Sequence, residues 1–320
     1  MTYFEALEKN SVVGIDDSCV KTVDSVISKV FLYKTFARKV YRYDNGFVGR
    51  LDDPVFRRKF VQEDFVWNNL MCPEIYLHLE GAKQVDGVWQ VCPMAEAEDF
   101  SIVMAKVDVE KNLHHTLLQG KANAVIVGKV ADTMMTRLHN LTLLKAATIP
   151  TFKRPWRELY LLRLQDLREW CAMVPEQLPV MYVQNVLQAL EKIADDPYVR
   201  AYDSAKMQVA IDNHAGNILI FDDSIEFLDI YQFKEHWLAV DPLVNITRPA
   251  ADVFALGGEA LGQAFLKAAT PYYSMPDDKT VYAYLIEAAL ILVAYQYMLK
   301  KPDIAARYLD WIDSHFLKIQ

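Results

Sequence analysis

The chain has 320 residues, of which 52% are hydrophobic, and a formal charge of −8 at pH 7. This is enough length for one large or two ordinary domains with a substantial core, and the composition argues against a disordered or fibrous protein. The acidic balance argues against nucleic acid as the main partner, because binding to phosphates requires clustered Lys and Arg.

The sequence predicts neither secretion nor a membrane span. The first 13 residues carry Glu5 and Glu8 and have no apolar signal core. Residues 281–299 are apolar, but Glu287 lies near their middle, so a buried core helix is predicted instead of a span. The four cysteines are widely separated, which argues against a zinc site or a disulfide framework. We therefore expect a cytoplasmic protein without a nucleic-acid or membrane partner.

The first hundred residues predict a mixed α+β unit. Asp53-Pro54 is typical of a helix start, and Pro73 would end that helix. Asp86-Gly87 between two β-prone runs indicates a hairpin. The apolar positions of the helix would be Phe56, Phe60, Phe65 and Leu70, and the β-prone runs are residues 25–32, 37–43, 75–79, 88–92 and 99–104.

Beyond residue 107 helical patterns dominate. One β-like interruption, residues 207–230, divides them, and helices resume near Ala250. This order predicts an α+β, protein-kinase-like two-lobed fold, in which residues 1–107 form a small β-sheet lobe with one helix and residues 108–320 form a larger, mainly helical lobe. The predicted helices before the interruption are residues 109–118, 122–143, 156–173 and 177–194.

The interruption carries the polar groups that phosphoryl transfer needs. Asp212 and Asn217 stand five apart on a loop between two apolar runs, and Asp229 closes the second run. One Asp can orient an acceptor hydroxyl, while an Asn and a second Asp can hold Mg²⁺ on the phosphates of ATP. The alternative interpretation is a surface β-turn, in which Asp229 only ends a strand.

A kinase also needs a strand-borne Lys that reaches the phosphates of ATP, and a Glu on the following helix that holds it. Lys39 in the second β-run and Glu63 in the predicted helix follow this order, with Asp64 as the alternative partner. Taken alone, Lys39 would be an exposed strand lysine and Glu63 part of a solvated helix face. Their position upstream of the polar loop favours the interpretation that the two residues together form the phosphate-binding pair of a kinase.

The loop resembles the catalytic loop of the aminoglycoside phosphotransferase-like kinase family, which typically reads His-Gly-Asp-x-His-x-Gly-Asn-Ile-x. The resemblance extends over nearly the whole chain and implies transfer of phosphate from ATP to a hydroxyl of a small molecule. Asp212 would align that hydroxyl, and Asn217 and Asp229 would hold Mg²⁺. The matching residues are Asp212, His214, Gly216, Asn217 and the distal Asp229.

The resemblance also implies a nucleotide site in the small lobe. Lys39, held by Glu63, would bind the ATP phosphates. Residues 103–107 would bind the adenine through backbone groups, and Met104 and Lys106 are the candidate contacts there.

Two departures from the family pattern precede the catalytic Asp. The family His and Gly are Ala210 and Ile211 here, and apolar packing of Ile211 is one way to offset the loss of a His that braces the loop. The rival interpretations are a nucleotide-binding or partner-binding pseudokinase and, more distantly, a helical interaction protein. Candidates for acceptor contacts are Trp237, Asp241 and Asp252, of which Asp252 is equally well a brace of the loop.

Overall fold

A computed structural model describes residues 1–25, 27–43, 48–145, 147, 149, 154–195, 207–232 and 234–320. The chain divides into two compact units. The first comprises Met1–Val109 and Phe227–Phe233, and the second comprises Glu110–Glu226 and Lys234–Gln320. The boundary at residue 107 stays a prediction; the observed division differs from it by grouping the end of the 207–230 segment with the first unit.

The first unit contains a six-stranded sheet of β1 (Lys21–Asp24), β2 (Ser28–Leu32), β3 (Phe36–Tyr41), β4 (Tyr76–Val85), β5 (Val88–Cys92) and β6 (Asp99–Ala105). The strand order is β1-β2-β3-β6-β4-β5, and every neighbouring pair is antiparallel. The sequence missed β1, which is exposed along its length and so shows no apolar alternation. Position 26 of the predicted 25–32 run lies outside the described residues. In the centre of the sheet, Lys39 pairs with Val30 and Ile102.

The predicted hairpin is confirmed between β4 and β5. Asp86 and Gly87 both have positive φ, +51° and +80°, as a two-residue type I′ turn requires. β4 is longer than the predicted run because it continues through Gly81. A Cβ added at Gly81 would lie 2.6 Å from the Cβ of Ala97, so glycine is needed there for close packing.

The helix α2 (Pro54–Met71) begins where the sequence predicts. Oδ1 of Asp53 accepts hydrogen bonds from the N–H groups of Val55 and Phe56 at 2.9 and 3.2 Å. The predicted inward stripe is wrong in part, since Phe60 is buried but Leu70 is 43% exposed. The side chains that α2 buries are Arg57, Phe60, Val61, Asp64, Trp67, Asn68 and Met71.

A second helix of the first unit, α1 (Tyr3–Glu8), corrects the prediction of a single one. Thr2 and Glu5 form a capping box, in which each side chain accepts a hydrogen bond from the backbone N–H of the other. With six residues the helix is too short to show a clear helical period. Its buried side chains join a core that includes Phe31 and Trp89.

The second unit is mainly helical, as predicted. β7 (Gln208–Val209) pairs with β10 (Ala239–Val240), and β8 (Ile218–Ile220) pairs with β9 (Ile225–Phe227), whose last residue begins the segment grouped with the first unit. The helices are α3 (Leu113–Leu118), α4 (Ala124–Lys145), α5 (Trp156–Ala172), α6 (Val180–Ile193), α7 (Pro242–Asp252), α8 (Glu259–Ala269), α9 (Asp278–Met298) and α10 (Pro302–His315).

The helix α7 begins well before the predicted point near Ala250. Asp241 caps it, with Oδ1 accepting from the N–H of Leu243 at 2.7 Å, and Pro242 occupies the first position. Pro249 lies inside the helix. Because proline is favoured at the first position of a helix, Pro249 explains why the sequence places the start near Ala250.

The helix α9 is the predicted buried helix. It is long and apolar enough to cross a membrane by length and composition, yet 83% of its most apolar window is buried by the rest of the chain. Glu287 at its middle is 3% exposed, and its Oε1 lies 3.2 Å from Nε of Arg163 on α5. A buried carboxylate with a buried cationic partner is consistent with a protein core.

Candidate functional site

Lys39 is buried in the first unit between two carboxylates. Its side chain is 3% exposed, its Nζ lies 3.2 Å from Oδ2 of Asp64, and it also donates to Oδ1 of Asp229. Burial lowers the pKa of Lys39, but the charges of Asp229 and Asp64 outweigh burial and hold that pKa well above its usual value. Lys39 is therefore a charged and fixed side chain, not an exposed strand lysine.

The carboxylate on α2 that pairs with Lys39 is Asp64, so the predicted pairing with Glu63 is corrected. Asp64 is fully buried, and its Oδ1 accepts a hydrogen bond from Nδ2 of Asn68 at 2.8 Å. Burial raises the pKa of Asp64, and the charge of Lys39 opposes that rise. Glu63 is only half-buried, because one step along a helix rotates a side chain by about 100° away from the inward face.

The backbone of Asp229 lies in the left-handed region, with φ of +52°, which residues other than glycine rarely adopt. Its N–H donates to Oη of Tyr76 at 2.8 Å, and the N–H of Ile230 donates to Oδ1 of Asn68 at 3.0 Å. Such a conformation persists where surrounding contacts hold it. The side chain of Asp229 is 43% exposed, so its carboxylate contacts both Lys39 and solvent.

The predicted adenine-binding segment lies at the end of β6. Met104 is buried and pairs in register with Ala37 and Tyr76. Nζ of Lys106 donates to the backbone carbonyl of Tyr33 at 3.0 Å. The ammonium group of Lys106 is thus held by the unit's own backbone, and the nucleotide contacts of Met104 and Lys106 stay predictions.

In the second unit, one face of α7 holds the loop of residues 210–217. Asn245, Arg248 and Asp252 are spaced by three and four residues, which places their side chains on the same side of a helix. Each of them contacts a different part of the loop.

Asn245 holds the start of the loop. Its Oδ1 accepts from the N–H of Ile211 at 3.2 Å, and its Nδ2 donates to the carbonyl of Val209 at 2.9 Å. Its own carbonyl lacks the usual helical donor, because Pro249 four residues later has no N–H. Nδ2 of Asn213 in the loop donates to that carbonyl at 2.6 Å instead. The internal proline of α7 therefore leaves an acceptor that the loop uses.

Asp252 holds the end of the loop. It is 1% exposed, its Oδ2 accepts from the N–H of Ala215 at 2.7 Å, and its Oδ1 accepts from the hydroxyl of Tyr308. Burial raises the pKa of Asp252, against the opposing influence of His214 and the two hydrogen bonds. Two roles were predicted for Asp252, contact with the acceptor and support of the loop, and these contacts fit the second.

The loop is held without the His that the family places before the catalytic Asp. Ala210 and Ile211 are 1% and 3% exposed, so the apolar packing expected of Ile211 is present. Nδ1 of His214 accepts from the N–H of Gly216 at 3.1 Å, and its ring centroid lies 5.4 Å from that of Tyr295. His214 therefore has a structural partner inside the loop.

Asp212 presents its two carboxylate oxygens differently. Oδ1 accepts from Nη1 of Arg248 at 3.0 Å, whereas Oδ2 has no hydrogen bond from any residue that the structure describes. The side chain is 36% exposed. Nδ2 of Asn217 donates to the carbonyl of Asp212 at 2.9 Å, which leaves Oδ1 of Asn217 as the other polar atom of that side chain.

Oδ1 of Asn217 in the second unit and the carboxylate of Asp229 in the first are each oxygen donors of the kind that Mg²⁺ prefers. Across the described ranges, no group of three or more His, Cys, Asp and Glu side chains could hold a metal ion.

The other acceptor candidates are buried and have structural partners. The indole N–H of Trp237 donates to Oδ2 of Asp166 at 2.6 Å. Asp241 caps α7 and accepts from the hydroxyl of Tyr273 at 3.0 Å. Sequence reasoning missed Asn68, Asn245 and Arg248, although helical spacing from Asp64 and from Asp252 was a signal that could have found them.

No family model matches the chain, and no curated protein matches it by sequence. Solved structures match its fold over nearly its whole length. A choline kinase from Cryptosporidium parvum Iowa II has a TM-score of 0.55 and 12% identity, covering 99% of this chain and 95% of that one. The GDP complex of aminoglycoside 2'-phosphotransferase-IIIa has a TM-score of 0.51 and 12% identity, covering 98% and 96%. A choline/ethanolamine kinase family protein from Mesorhizobium loti has a TM-score of 0.50 and 12% identity, covering 100% and 94%.

At these identities the likeness is one of fold. The antiparallel sheet of the first unit and the helices of the second confirm the predicted α+β class. The chain has the protein-kinase-like fold of the aminoglycoside phosphotransferases and choline kinases, as its resemblance to the aminoglycoside phosphotransferase-like family predicts.

Proposed function

We propose that the protein transfers the γ-phosphoryl group of ATP to a hydroxyl of a small molecule, with Mg²⁺ as cofactor. The observation that carries this proposal is the buried Lys39 beside the half-exposed carboxylate of Asp229. Burying a lysine is costly unless the charge is paired, and a purely structural pair does not require an exposed partner. A fixed cation next to an accessible oxygen ligand suits the phosphates and metal of a bound nucleotide.

In the first unit, Lys39 is proposed to bind the phosphates, with Asp64 in the supporting role predicted for Glu63. Met104 and Lys106 are proposed to contact the adenine. The aminoglycoside 2'-phosphotransferase-IIIa structure is a GDP complex, so GTP should be tested beside ATP.

In the second unit, Asp212 is proposed to orient the acceptor hydroxyl through Oδ2. The hydroxyl oxygen forms a bond to the γ-phosphorus, the bond from that phosphorus to the oxygen of ADP breaks, and the hydroxyl proton passes to Asp212. Asn217 and Asp229 are proposed to hold Mg²⁺, which when bound would neutralise charge on the phosphates. Catalysis is then mainly positioning and electrostatic stabilisation.

The alternative is a pseudokinase that binds nucleotide or a protein partner without turnover. One observation favours it: Arg248 already engages Oδ1 of Asp212, in a loop that lacks the family His and Gly. Against it, Oδ2 of Asp212 is left without a hydrogen bond from the described chain, and Lys39, Asp212 and Asp229 are all present.

Binding and turnover can be tested separately. Thermal stabilisation by ATP or GTP, with and without Mg²⁺, reports binding, because a ligand of the native state stabilises it according to its affinity. Release of ADP or GDP with a panel of hydroxylated metabolites, sugars and aminoglycosides reports transfer. Stabilisation with turnover supports the kinase, and stabilisation without turnover across the panel supports the pseudokinase. The absence of stabilisation by either nucleotide contradicts the kinase and the nucleotide-binding pseudokinase, and leaves the partner-binding pseudokinase.

A further inference from the structure

Arg248 places a buried guanidinium beside the proposed catalytic carboxylate. It is 7% exposed, and its Nη1 donates to Oδ1 of Asp212 at 3.0 Å. Among the described residues, no group accepts a hydrogen bond from its Nε or Nη2. Neither of these two atoms is fully enclosed by the protein. Arginine offers five donors in a planar fork, so most donors of this fork have no acceptor in the described part of the chain.

Trp237 holds the guanidinium in place. The guanidinium carbon of Arg248 lies 5.4 Å from the centroid of the Trp237 ring. The indole is itself fixed by Asp166, whose oxygens also take hydrogen bonds from Lys234 at 2.6 Å and from Nε2 of His236 at 2.7 Å. A stacked and pre-oriented fork loses little freedom when it binds an anion, which favours affinity.

The surroundings of Arg248 give a cationic group little to bind. Glu287, the nearby carboxylate on α9, is buried and paired with Arg163. Glu287, Trp237 and Tyr284 line, with Arg248, a cavity of about 10 Å³, close to the size that a single water molecule needs. That cavity is too small for any substrate group, so neither Glu287 nor the side of Arg248 that lines it is available to an acceptor. An acceptor group can contact Arg248 only on the side of Asp212, whose side chain is 36% exposed.

We infer that Arg248 determines acceptor specificity, and that the acceptor carries an anionic group, a carboxylate or a phosphate, beside the hydroxyl that is phosphorylated. The inference rests on the proposed function. The arginine fork matches two oxygens of such a group, while Oδ2 of Asp212 is left for the hydroxyl. The charge of Arg248 also offsets that of Asp212, so an amine gains less attraction here than beside an unpaired carboxylate.

Matched acceptors that differ only in charge test the inference. Glucose, glucuronate, glucose 6-phosphate and glucosamine form one series, and glycerol, glycerate, glycerol phosphate and aminopropanediol form a second. We expect at least one anionic member to bind the parent chain about 10- to 100-fold more tightly than its neutral and amino counterparts, measured by thermal shift and calorimetry. The Arg248→Gln variant should bring the affinities of a series to within a few-fold of each other.

Two further variants separate recognition from folding. Arg248→Lys keeps the charge but not the fork, so it should retain part of the preference for the anion. Arg307→Gln removes an exposed arginine of α10 in the same unit and should leave the preference unchanged. Where turnover is found, the loss in Arg248→Gln should appear mainly in KM for the anionic acceptor, with a smaller change for the neutral one.

The failure of this inference can be distinguished from the failure of the proposed function. Equal or tighter binding of the amino compounds in both series, or an unchanged ratio in Arg248→Gln, overturns the role of Arg248 even if the protein is a kinase. An anion preference that Arg248→Gln abolishes supports the inference even if no nucleotide is consumed, and the absence of turnover then counts only against the kinase.

Discussion

The two sets of proposed site residues are held in different ways. In the first unit, Lys39 is buried between the fully buried Asp64 and the half-exposed Asp229, which come from distant parts of the chain. In the second unit, Asp212 lies on a continuous loop that a single helix face supports, and its carboxylate is partly exposed. Removing one member of a buried ion cluster leaves an uncompensated charge, whereas a half-exposed loop carboxylate can be replaced at little cost to the fold. We therefore expect that removing Lys39 lowers the stability of the protein, whereas replacing Asp212 lowers the rate of transfer with little change in stability.

The largest effect is expected on the transfer rate when Asp212 is replaced. Asp212→Asn should keep the Mg²⁺-dependent thermal shift by ATP but lower the rate of transfer by about 10²- to 10⁴-fold, because an orienting or proton-accepting carboxylate is lost. Asp229→Ala should instead remove most of the Mg²⁺ dependence of that shift, since it is the proposed metal ligand.

Asp223→Asn is the matched control for Asp212→Asn, because Asp223 is an exposed carboxylate of the same β-hairpin region. It should leave both the shift and the rate unchanged. Transfer at the parent rate by Asp212→Asn would show that the catalytic assignment is wrong.

The next largest effect is expected on stability when Lys39 is replaced. Lys39→Met should lower the free energy of unfolding by about 3–5 kcal/mol, because it leaves the fully buried Asp64 beside Asp229 without their shared cation. The double variant Lys39→Met/Asp64→Leu should recover most of that loss but bind ATP no better than the single variant. Denaturant titration and calorimetry measure the two quantities.

Lys83→Met is the control for Lys39→Met, since Lys83 on β4 of the same sheet also pairs with a carboxylate, that of Glu96, but is partly exposed. Ion pairs at the surface contribute little to stability, so the effect of Lys83→Met should be small. If the double variant stays as unstable as Lys39→Met, the buried Asp64 is not the source of the cost.

Acid should weaken the second unit through His114 on α3. Burial lowers the pKa of His114 to about 4, with help from nearby Lys301 and His214. Because an unfolded His titrates near pH 6.5, its stabilising contribution is fully present above that pH and is lost as the pH falls toward 4, by about 3 kcal/mol at most. His114→Gln should flatten this part of the pH–stability curve, and replacement of the exposed His139 by Gln should not.

Local signals explain how much of this molecule was predictable from the sequence. Asp53 as a helix cap and Asp86-Gly87 as a hairpin turn each act within a few residues, and both are found as predicted. Asp212 and Asn217 were recognisable because the loop is contiguous, so their spacing is preserved in the sequence.

The sequence did not show which side chains of a helix point inward where the inward face of that helix is polar. The choice of Glu63 over Asp64 followed from the residue type that kinases use there, but α2 buries Arg57, Asp64 and Asn68 on its inward face. Pro249 was similarly misleading, because a proline inside a helix is tolerated only where another group satisfies the carbonyl it leaves. That partner comes from a distant loop, and no local pattern shows it.

The link between Asn213 and α7 can be tested by a double-mutant cycle. Asn213→Ala should destabilise the protein by about 1–3 kcal/mol, because it leaves the carbonyl of Asn245 without a donor. Pro249→Ala restores a backbone N–H that can donate to that carbonyl, so it should reduce the cost of Asn213→Ala. Additive effects of the two substitutions would show that the proline and the loop are not coupled.

The smallest effect, and the one that most directly joins fold to site in the first unit, is expected at Tyr76. Its hydroxyl accepts the N–H of Asp229, whose left-handed backbone needs such support. Tyr76→Phe should cost only about 1 kcal/mol of stability, yet should weaken the Mg²⁺-dependent stabilisation by ATP several-fold, because the carboxylate is no longer held at a fixed backbone. Tyr3→Phe is the control, since its hydroxyl donates to Ser101 in the same unit away from Asp229. It should show a comparable or smaller stability cost with an unchanged nucleotide shift. An equal loss of nucleotide stabilisation in both variants would mean that the first unit responds only to general destabilisation, and that Tyr76 does not position Asp229.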